Sequence, residues 1–385
     1  MIPYAKQNIS EQDIEAVSRV LRSDFITQGP VVVEFEKAIA QYCDAKYAIA
    51  VSSGTAALHL ACLALEVGKN DIVWTSPNTF VASANCALYC GAQIDFVDIE
   101  PGTYNISIEA LEQKLSIARQ KGKSPRVVIA VHFSGQSCDM QAIYKLSQEY
   151  GFKIIEDAAH ALGGEYQNQK IGYCQFSDIS IFSLHPAKMI TAGEGGLLLT
   201  NNKSLIDKAT LLRTHGITRD SSLIQGEKHG IWYYQQLELG YNYRITDIQA
   251  ALGLSQLQRL DEFVSRRRQI AERYNQLLSA LPLTIPQQNE ACQSSWHLYV
   301  IRLQLNKLNK NRKKIFDELR KNNIGVHVHY IPVHTQPFFK NMGFKEQDFP
   351  ESIAYYQQAI TLPMYVDLSD EMVDYIASTL SEILA

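Results

Sequence analysis

Apolar residues in the first half of the chain fall into short runs separated by longer stretches in which they recur every three or four positions. Residues 47–51, 72–75, 94–97, 127–132 and 152–155 are runs of the length and composition of buried strands. Residues 55–65, 77–91, 108–118 and 140–150 between them carry helical spacing. Ahead of these, Ser10 caps a helix over 10–22 with Ile14, Val17, Val20 and Leu21 on one face. TQGP (27–30) is a turn, and a second helix runs on through Phe35 and Ile39. This alternation predicts an α/β fold: a mostly parallel sheet with helices on both faces, which binds ligands at the carboxyl ends of its strands.

Further on, a run at Ile179, Ile181 and Phe182 reads as another buried strand. Thr246 then caps a long helix with Ile248, Ala251, Leu252, Leu257 and Leu260 at helical spacing, which carries the chain out of the first unit. Strands at 296–303 and 325–332, a helix over 310–322 and a last helix from Glu371 make a smaller α+β unit. The expected division is a large domain over 1–250 and a small one over 251–385, in keeping with a length of 385 residues.

Composition narrows the function classes. A hydrophobic content of 46%, with 36 basic against 40 acidic residues and a net charge of −4, gives no footprint for nucleic acid or an anionic membrane. The start MIPYAKQNISEQD has no apolar signal core, and no stretch reaches transmembrane length. Seven scattered cysteines form no C-x-x-C pair, and Cys86 and Cys90 lack the partners of a zinc site, so no metal is expected. Free thiols in a reducing cytoplasm follow as the expectation.

Four polar clusters sit at predicted strand ends: Ser53-Gly54-Thr55, Ser134-Gly135-Gln136, Asp157 with His160, and Ser183 with Lys188. A Ser/Gly turn leading into a helix offers unpaired N–H groups and a positive dipole end to an anion, although an ordinary capped helix has the same pattern. The spacing is neither G-x-G-x-x-G nor a Walker loop. A desolvated lysine has a lowered pKa and attacks carbonyl carbon, whereas most lysines are simply solvated. A phosphate at Ser53–Thr55 and an aldehyde at Lys188 are two groups of one cofactor, pyridoxal 5′-phosphate. Its ring nitrogen needs a buried carboxylate, for which Asp157 is placed; the competing role for Asp157 is a helix cap. Phe80 covers the ring face or belongs to the core, Ser183 adds a phosphate contact, and His160, one helical turn from Asp157, reaches the ring hydroxyl.

SSGTAALHL, EDAAHALGG, FSLHPAKMITAGEGG and LGYNYRITDIQAALG together resemble the DegT/DnrJ/EryC1/StrS sugar aminotransferases, which have the aspartate aminotransferase (fold type I) architecture. The resemblance spans nearly the whole chain. It implies that Lys188 anchors the cofactor and moves its protons, that Asp157 pairs the pyridine nitrogen, and that Thr55, Ala56 and Ser183 hold the phosphate. It further implies a homodimer with shared sites, in which Asn242 reaches in from the neighbouring subunit. His160 stands where many relatives have glutamine, and Leu184 where phenylalanine is frequent.

The implied substrates are L-glutamate and a UDP-linked 4-keto-6-deoxy-N-acetylhexosamine aminated at C4, with dTDP- or GDP-linked sugars as alternatives. Tyr4, Thr27, Gln28 and His329 are candidates for sugar contacts, each with a structural role as the competing reading, and Arg244 for the diphosphate. Two rivals stand beside this. A sugar dehydratase of the same scaffold replaces the lysine with histidine, and a decayed binding protein would have lost Lys188 or Asp157; this chain keeps both.

Overall fold

The computed structural model describes residues 1–385. Seven strands form the main sheet: β1 (Tyr47–Val51), β2 (Ile72–Thr75), β3 (Gln93–Phe96), β4 (Val127–Val131), β5 (Lys153–Asp157), β6 (Ile179–Ser183) and β7 (Gly196–Thr200). Their order is β1-β7-β6-β5-β4-β2-β3. All point the same way except β7, which is antiparallel to both of its neighbours. The carboxyl ends of β1, β2, β4, β5 and β6 therefore share one edge, and the start of β7 meets them there.

Helices α1 (Glu11–Leu21), α2 (Pro30–Tyr42), α3 (Gly54–Ala64), α4 (Ala82–Tyr89), α5 (Ile108–Gln120), α6 (Met140–Tyr150) and α7 (Lys203–Arg213) accompany this sheet. Strands β4 and β7 are buried at every position, as both-face coverage requires. Strand β7 is absent from the hydrophobic reading above. The predicted helix over 77–91 begins only at Ala82, because Pro77–Val81 stays as an irregular loop at the end of β2.

The long helix expected after Thr246 is two helices, α8 (Asp247–Leu257) and α9 (Leu260–Leu278). A buried carboxylate explains the break. Asp13 of α1 accepts from Ser255 Oγ (2.6 Å), Gln256 Nε2 (2.8 Å) and the Arg259 guanidinium (2.6 Å). These bonds pin the end of α8 to α1, and α9 leaves in a new direction. Residue 250 thus lies inside a helix that packs with α1 and α2.

Strands β8 (Leu283–Thr284), β9 (Tyr299–Leu303) and β10 (Ala359–Leu362) make a second, antiparallel sheet. It shares a core with α9, α10 (Arg312–Lys321) and α11 (Asp370–Leu384). The N-terminal arm crosses to this unit: Ile2 pairs with Ile324, and the Tyr4 carbonyl accepts from Met364 N (3.0 Å). The strand expected over 325–332 does not form. Only His327 bridges to Thr361; Tyr330 N–H instead donates to Asn78 Oδ1 (3.4 Å) and Val333 N–H to the Pro77 carbonyl (2.9 Å). The segment is drawn off the small sheet onto the loop after β2, and so crosses the edge where the strand ends converge.

Candidate active site

A cavity of about 530 Å³ opens at that edge. Of the residues singled out from sequence, Tyr4, Thr55, Phe80, Asp157, His160, Ser183, Lys188 and His329 line it. Six of these come from the ends of β1, β2, β5 and β6 or the segments that follow, and Tyr4 and His329 from the arm and segment that cross over.

One wall is the N-terminus of α3. Ser53 caps it, its Oγ accepting from Ala56 N (3.1 Å), so the N–H of Ala56 is already used and Ala56 itself lies buried off the cavity. The N–H groups of Gly54 and Thr55 have no acceptor within the helix. Gly54 faces Ser183, whose Cβ would lie 3.1 Å from a methyl group on the glycine. Gly196, opposite both Val51 and Ser183 in the sheet, lies against the Ser53 carbonyl so closely that any side chain would overlap it. The absence of Cβ at both glycines is what brings the Ser53 turn and Ser183 together. Two free N–H groups, the helix dipole and one hydroxyl make an anion cradle.

Lys188 stands on the loop between β6 and β7. That loop is closed by the Leu184 carbonyl, which accepts from Ala192 N (3.0 Å) and Thr191 Oγ1 (2.9 Å). Burial pushes the lysine amine down from 10.5 to about 8, and the charge of Asp157 opposes the shift. Asp157 ends β5 and is buried; its Oδ2 accepts from Ser83 Oγ (2.6 Å) and Oδ1 from Ala159 N (3.2 Å). Residues 158–163 form turns rather than a helix, so Asp157 caps none and His160 is not related to it by a helical turn. Phe80 is 58% exposed, which rules out a core role.

His160 is buried, and burial followed by the charge of Lys188 holds its pKa well below 6.5. His329 bonds Thr361 Oγ1 through Nδ1 (2.9 Å), and burial pushes it down to about 3. Tyr4 packs its ring 5.3 Å from His327 and 5.5 Å from His329.

Thr27, Gln28, Asn242 and Arg244 lie outside the cavity. Thr27 bridges Thr246, and Arg244 bridges Val51, so the four share one strip of surface beside β1. Thr27, Gln28 and Asn242 are exposed. Conversely, Ser83, His297 and Tyr330 line the cavity although sequence reasoning passed over them. Tyr330 follows His329 directly, and Ser83 lies four residues after Thr79, to whose hydroxyl it bonds at 2.7 Å. The four-residue spacing was the available signal for Ser83.

No helix is long and apolar enough to cross a membrane. Residues 7–381 match the model of the DegT/DnrJ/EryC1/StrS aminotransferase family. The chain is 38% identical to the spore coat polysaccharide biosynthesis protein SpsC of Bacillus subtilis over all of its own length and 97% of that protein. It is 36% identical to the UDP-4-amino-4,6-dideoxy-N-acetyl-beta-L-altrosamine transaminase of Campylobacter jejuni, over all of its length and 98% of the other. Among solved structures, a putative sugar aminotransferase of Streptococcus pneumoniae in its PMP form superposes with a TM-score of 0.89 at 31% identity, covering 100% and 99% of the two chains. Its PLP form has also been solved. Helicobacter pylori PseC, an aminotransferase of pseudaminic acid biosynthesis, gives a TM-score of 0.90 at 29% identity, again over 100% and 99%.

Proposed function

Because this chain belongs to the DegT/DnrJ/EryC1/StrS aminotransferase family, we propose that it transfers the amino group of L-glutamate to the C4 ketone of a UDP-linked 4-keto-6-deoxy-N-acetylhexosamine. It is a sugar aminotransferase of the fold type I architecture, and its cofactor is pyridoxal phosphate. The side chains present fit that group. The cradle of Gly54, Thr55 and Ser183 suits its phosphate, Asp157 its ring nitrogen and the Lys188 amine its aldehyde. When bound, pyridoxal phosphate supplies the electron sink for removing a proton from the carbon that bears the amino group.

The chain's own residues do the rest in this reading. Asp157, held by Ser83, keeps a proton on the ring nitrogen. Lys188 Nζ would hold the cofactor through its aldehyde and, when free, would take up and return the proton of the carbon that bears the amino group. Its shift to about 8 keeps an appreciable uncharged fraction near neutral pH. Phe80 covers the ring, and His160 and its neighbours serve the ring hydroxyl. Tyr4 and His329 take the sugar.

The strip of exposed Thr27, Gln28 and Asn242 with half-buried Arg244 serves the partner's cavity across a homodimer interface, with Arg244 directed to the sugar diphosphate. The observation that carries the whole assignment is the meeting of a desolvated lysine, a buried carboxylate and an anion cradle in one cavity.

The test is incubation of the protein with UDP-, dTDP- and GDP-linked 4-keto-6-deoxy sugars and glutamate, with Lys188→Ala as control. The UDP-linked N-acetylated sugar should turn over fastest. Preference for another base would keep the aminotransferase and replace the substrate. Turnover by the Lys188→Ala protein within about tenfold of the parent would remove lysine from its role.

A further inference from the structure

Three of the cysteines meet outside the cavity, where α3 packs on α4. Cys62 lies on α3. Cys86 lies on α4, and Cys90 caps the end of that helix one turn further along the same face. Cys62 and Cys86 are fully buried and Cys90 is half-buried, so a small oxidant meets Cys90 first. The Cys62 thiol is within hydrogen-bonding reach of both Cys86 and Cys90. No group of three or more side chains in the chain is disposed to hold a metal ion, these thiols included.

A buried histidine completes the cluster. His59, one turn before Cys62, has its Nδ1 3.1 Å from the Tyr243 hydroxyl, and its ring is enclosed by those of Tyr89 (5.5 Å), Tyr241 (4.9 Å) and Tyr243 (5.9 Å). Its Nε2 is buried with no oxygen or nitrogen to bond, and the Cys90 sulfur lies beside it. With Nδ1 accepting from the Tyr243 O–H, the ring proton sits on Nε2 and faces that sulfur, which spares the protein an unpaired buried donor. Hydrogen bonds from Cys62 and from His59 lower the pKa of the Cys90 thiol, although burial opposes the shift. Burial raises the thiols of Cys43, Cys138, Cys174 and Cys292 instead. Those four behave as small apolar fillers, whereas Cys90 has the exposure and the partners of a reactive thiol.

We propose that Cys90 and Cys62 form a reversible disulfide in response to a peroxide, fastening α3 to α4. The Cys90 sulfur attacks one peroxide oxygen and the O–O bond breaks. Hydroxide leaves and takes up a proton, and Cys90 becomes a sulfenic acid. The Cys62 sulfur then attacks the Cys90 sulfur, the S–O bond breaks, and the oxygen departs as water with the Cys62 proton. Two thiols and one hydrogen peroxide thus give one disulfide and two waters. Cys86 is the poorer partner, because its Cβ points the same way along the helix as that of Cys90, and its thiol donates to the Ser83 carbonyl (3.3 Å). A disulfide brings two sulfurs from non-bonded contact to about 2 Å, so the helices must shift towards each other. The first turn of α3 carries the anion cradle, and the first turn of α4 carries Ser83, which holds Asp157. The shift therefore reaches the cavity. This consequence rests on the reading of the cavity as the pyridoxal phosphate site; the disulfide itself does not.

The test treats the reduced, assembled protein with hydrogen peroxide, alkylates the remaining thiols and maps them by peptide mass spectrometry. Cys90 should react at least about tenfold faster than any other thiol of the chain. A Cys62–Cys90 linkage should appear, and dithiothreitol should remove it. Cys62→Ala should leave Cys90 as a sulfenic acid that dimedone traps, and Cys90→Ala should leave Cys62 reduced. Pyridoxal phosphate should bind the oxidised protein about fivefold or more weakly than the reduced one, the scale of ordinary coupling between sites. The Cys90→Ala protein treated alike should keep its affinity. A Cys90 no faster than the other thiols, a Cys86–Cys90 linkage, or a sulfinic acid without any linkage each overturns the disulfide. A Cys62–Cys90 linkage with unaltered affinity overturns its action on the cavity. Failure of the reduced protein to bind pyridoxal phosphate overturns the cavity reading and that action together, while the linkage stands or falls by the peptide map alone. Equal thermal unfolding midpoints for the reduced variants separate these outcomes from misfolding.

Discussion

The Ser83 hydroxyl donates a 2.6 Å hydrogen bond to Asp157 Oδ2, joining the first turn of α4 to the end of β5. Ser83 is itself held by the Thr79 hydroxyl at 2.7 Å, and both are buried. The second carboxylate oxygen is tied to the Ala159 N–H. The carboxylate is thus fixed in rotation.

Ser83→Ala should leave Asp157 held by the Ala159 N–H alone. One hydrogen bond to a charged group is lost, so cofactor affinity should fall by about ten- to a hundredfold. The fold should persist. Asp157→Asn should go further, with kcat lowered by about 10²-fold or more, because an amide cannot balance a ring cation. Equilibrium titration with pyridoxal phosphate and steady-state kinetics check both. A Ser83→Ala protein with unchanged affinity would remove the serine from the site.

Gly196→Ala should act at a distance from any reacting atom. The added methyl group meets the Ser53 carbonyl, so either β7 or the Ser53–Gly54 turn must move. We expect weakened binding of both pyridoxal phosphate and free phosphate, with a smaller loss of affinity for pyridoxal, which lacks the phosphate. Comparing the three ligands measures this; equal losses for pyridoxal and pyridoxal phosphate would place the damage elsewhere.

Lys188 gives a pH prediction with a definite sign. Its pKa in the folded protein, about 8, lies below the ordinary 10.5. In the cofactor-free protein the charged amine is therefore disfavoured by burial. That penalty is fully present below about 8 and is relieved as pH rises from about 8 to 10.5, where the unfolded chain binds more protons. Capture of pyridoxal by the cofactor-free protein needs the uncharged amine. Its rate should climb about tenfold per pH unit below 8 and level off above. Stopped-flow absorbance reads this directly; a climb continuing to pH 10 would mean an unshifted lysine.

The strip carrying Asn242 and Arg244 predicts shared sites. Mixed dimers of Lys188→Ala with Asn242→Ala chains should regain activity that neither parent has, since one cavity in the hybrid is intact. Arg244→Ala should raise KM for the nucleotide sugar far more than for glutamate. Complementation assays on verified hybrids settle the first, and paired KM values the second.

Much of this was legible in the chain. A strand that must be covered on both faces reads as a continuous apolar run, as in Val127–Val131, and its carboxyl end is marked where polar residues resume. Thr55, Asp157, Ser183 and Lys188 were found in this way. The break at Gln258 was not, because it answers to Asp13, more than 240 residues earlier. Nor was the departure of the segment after His327 from the small sheet, where the Tyr330 N–H turns to Asn78 and the Val333 N–H to Pro77.

The sequence by itself determined the alternation of elements, the edge at which polar groups collect, and the lysine, carboxylate and glycines that stand there, because these depend on local period and turn chemistry. The tertiary structure alone decided that β7 runs against its neighbours and seats Gly196 on the Ser53 carbonyl. It alone set Ser83 on Asp157 and Tyr330 on His160. Such pairings join segments dozens to well over a hundred residues apart, and they are fixed by which backbone groups find partners once the sheet has formed; no local pattern encodes that.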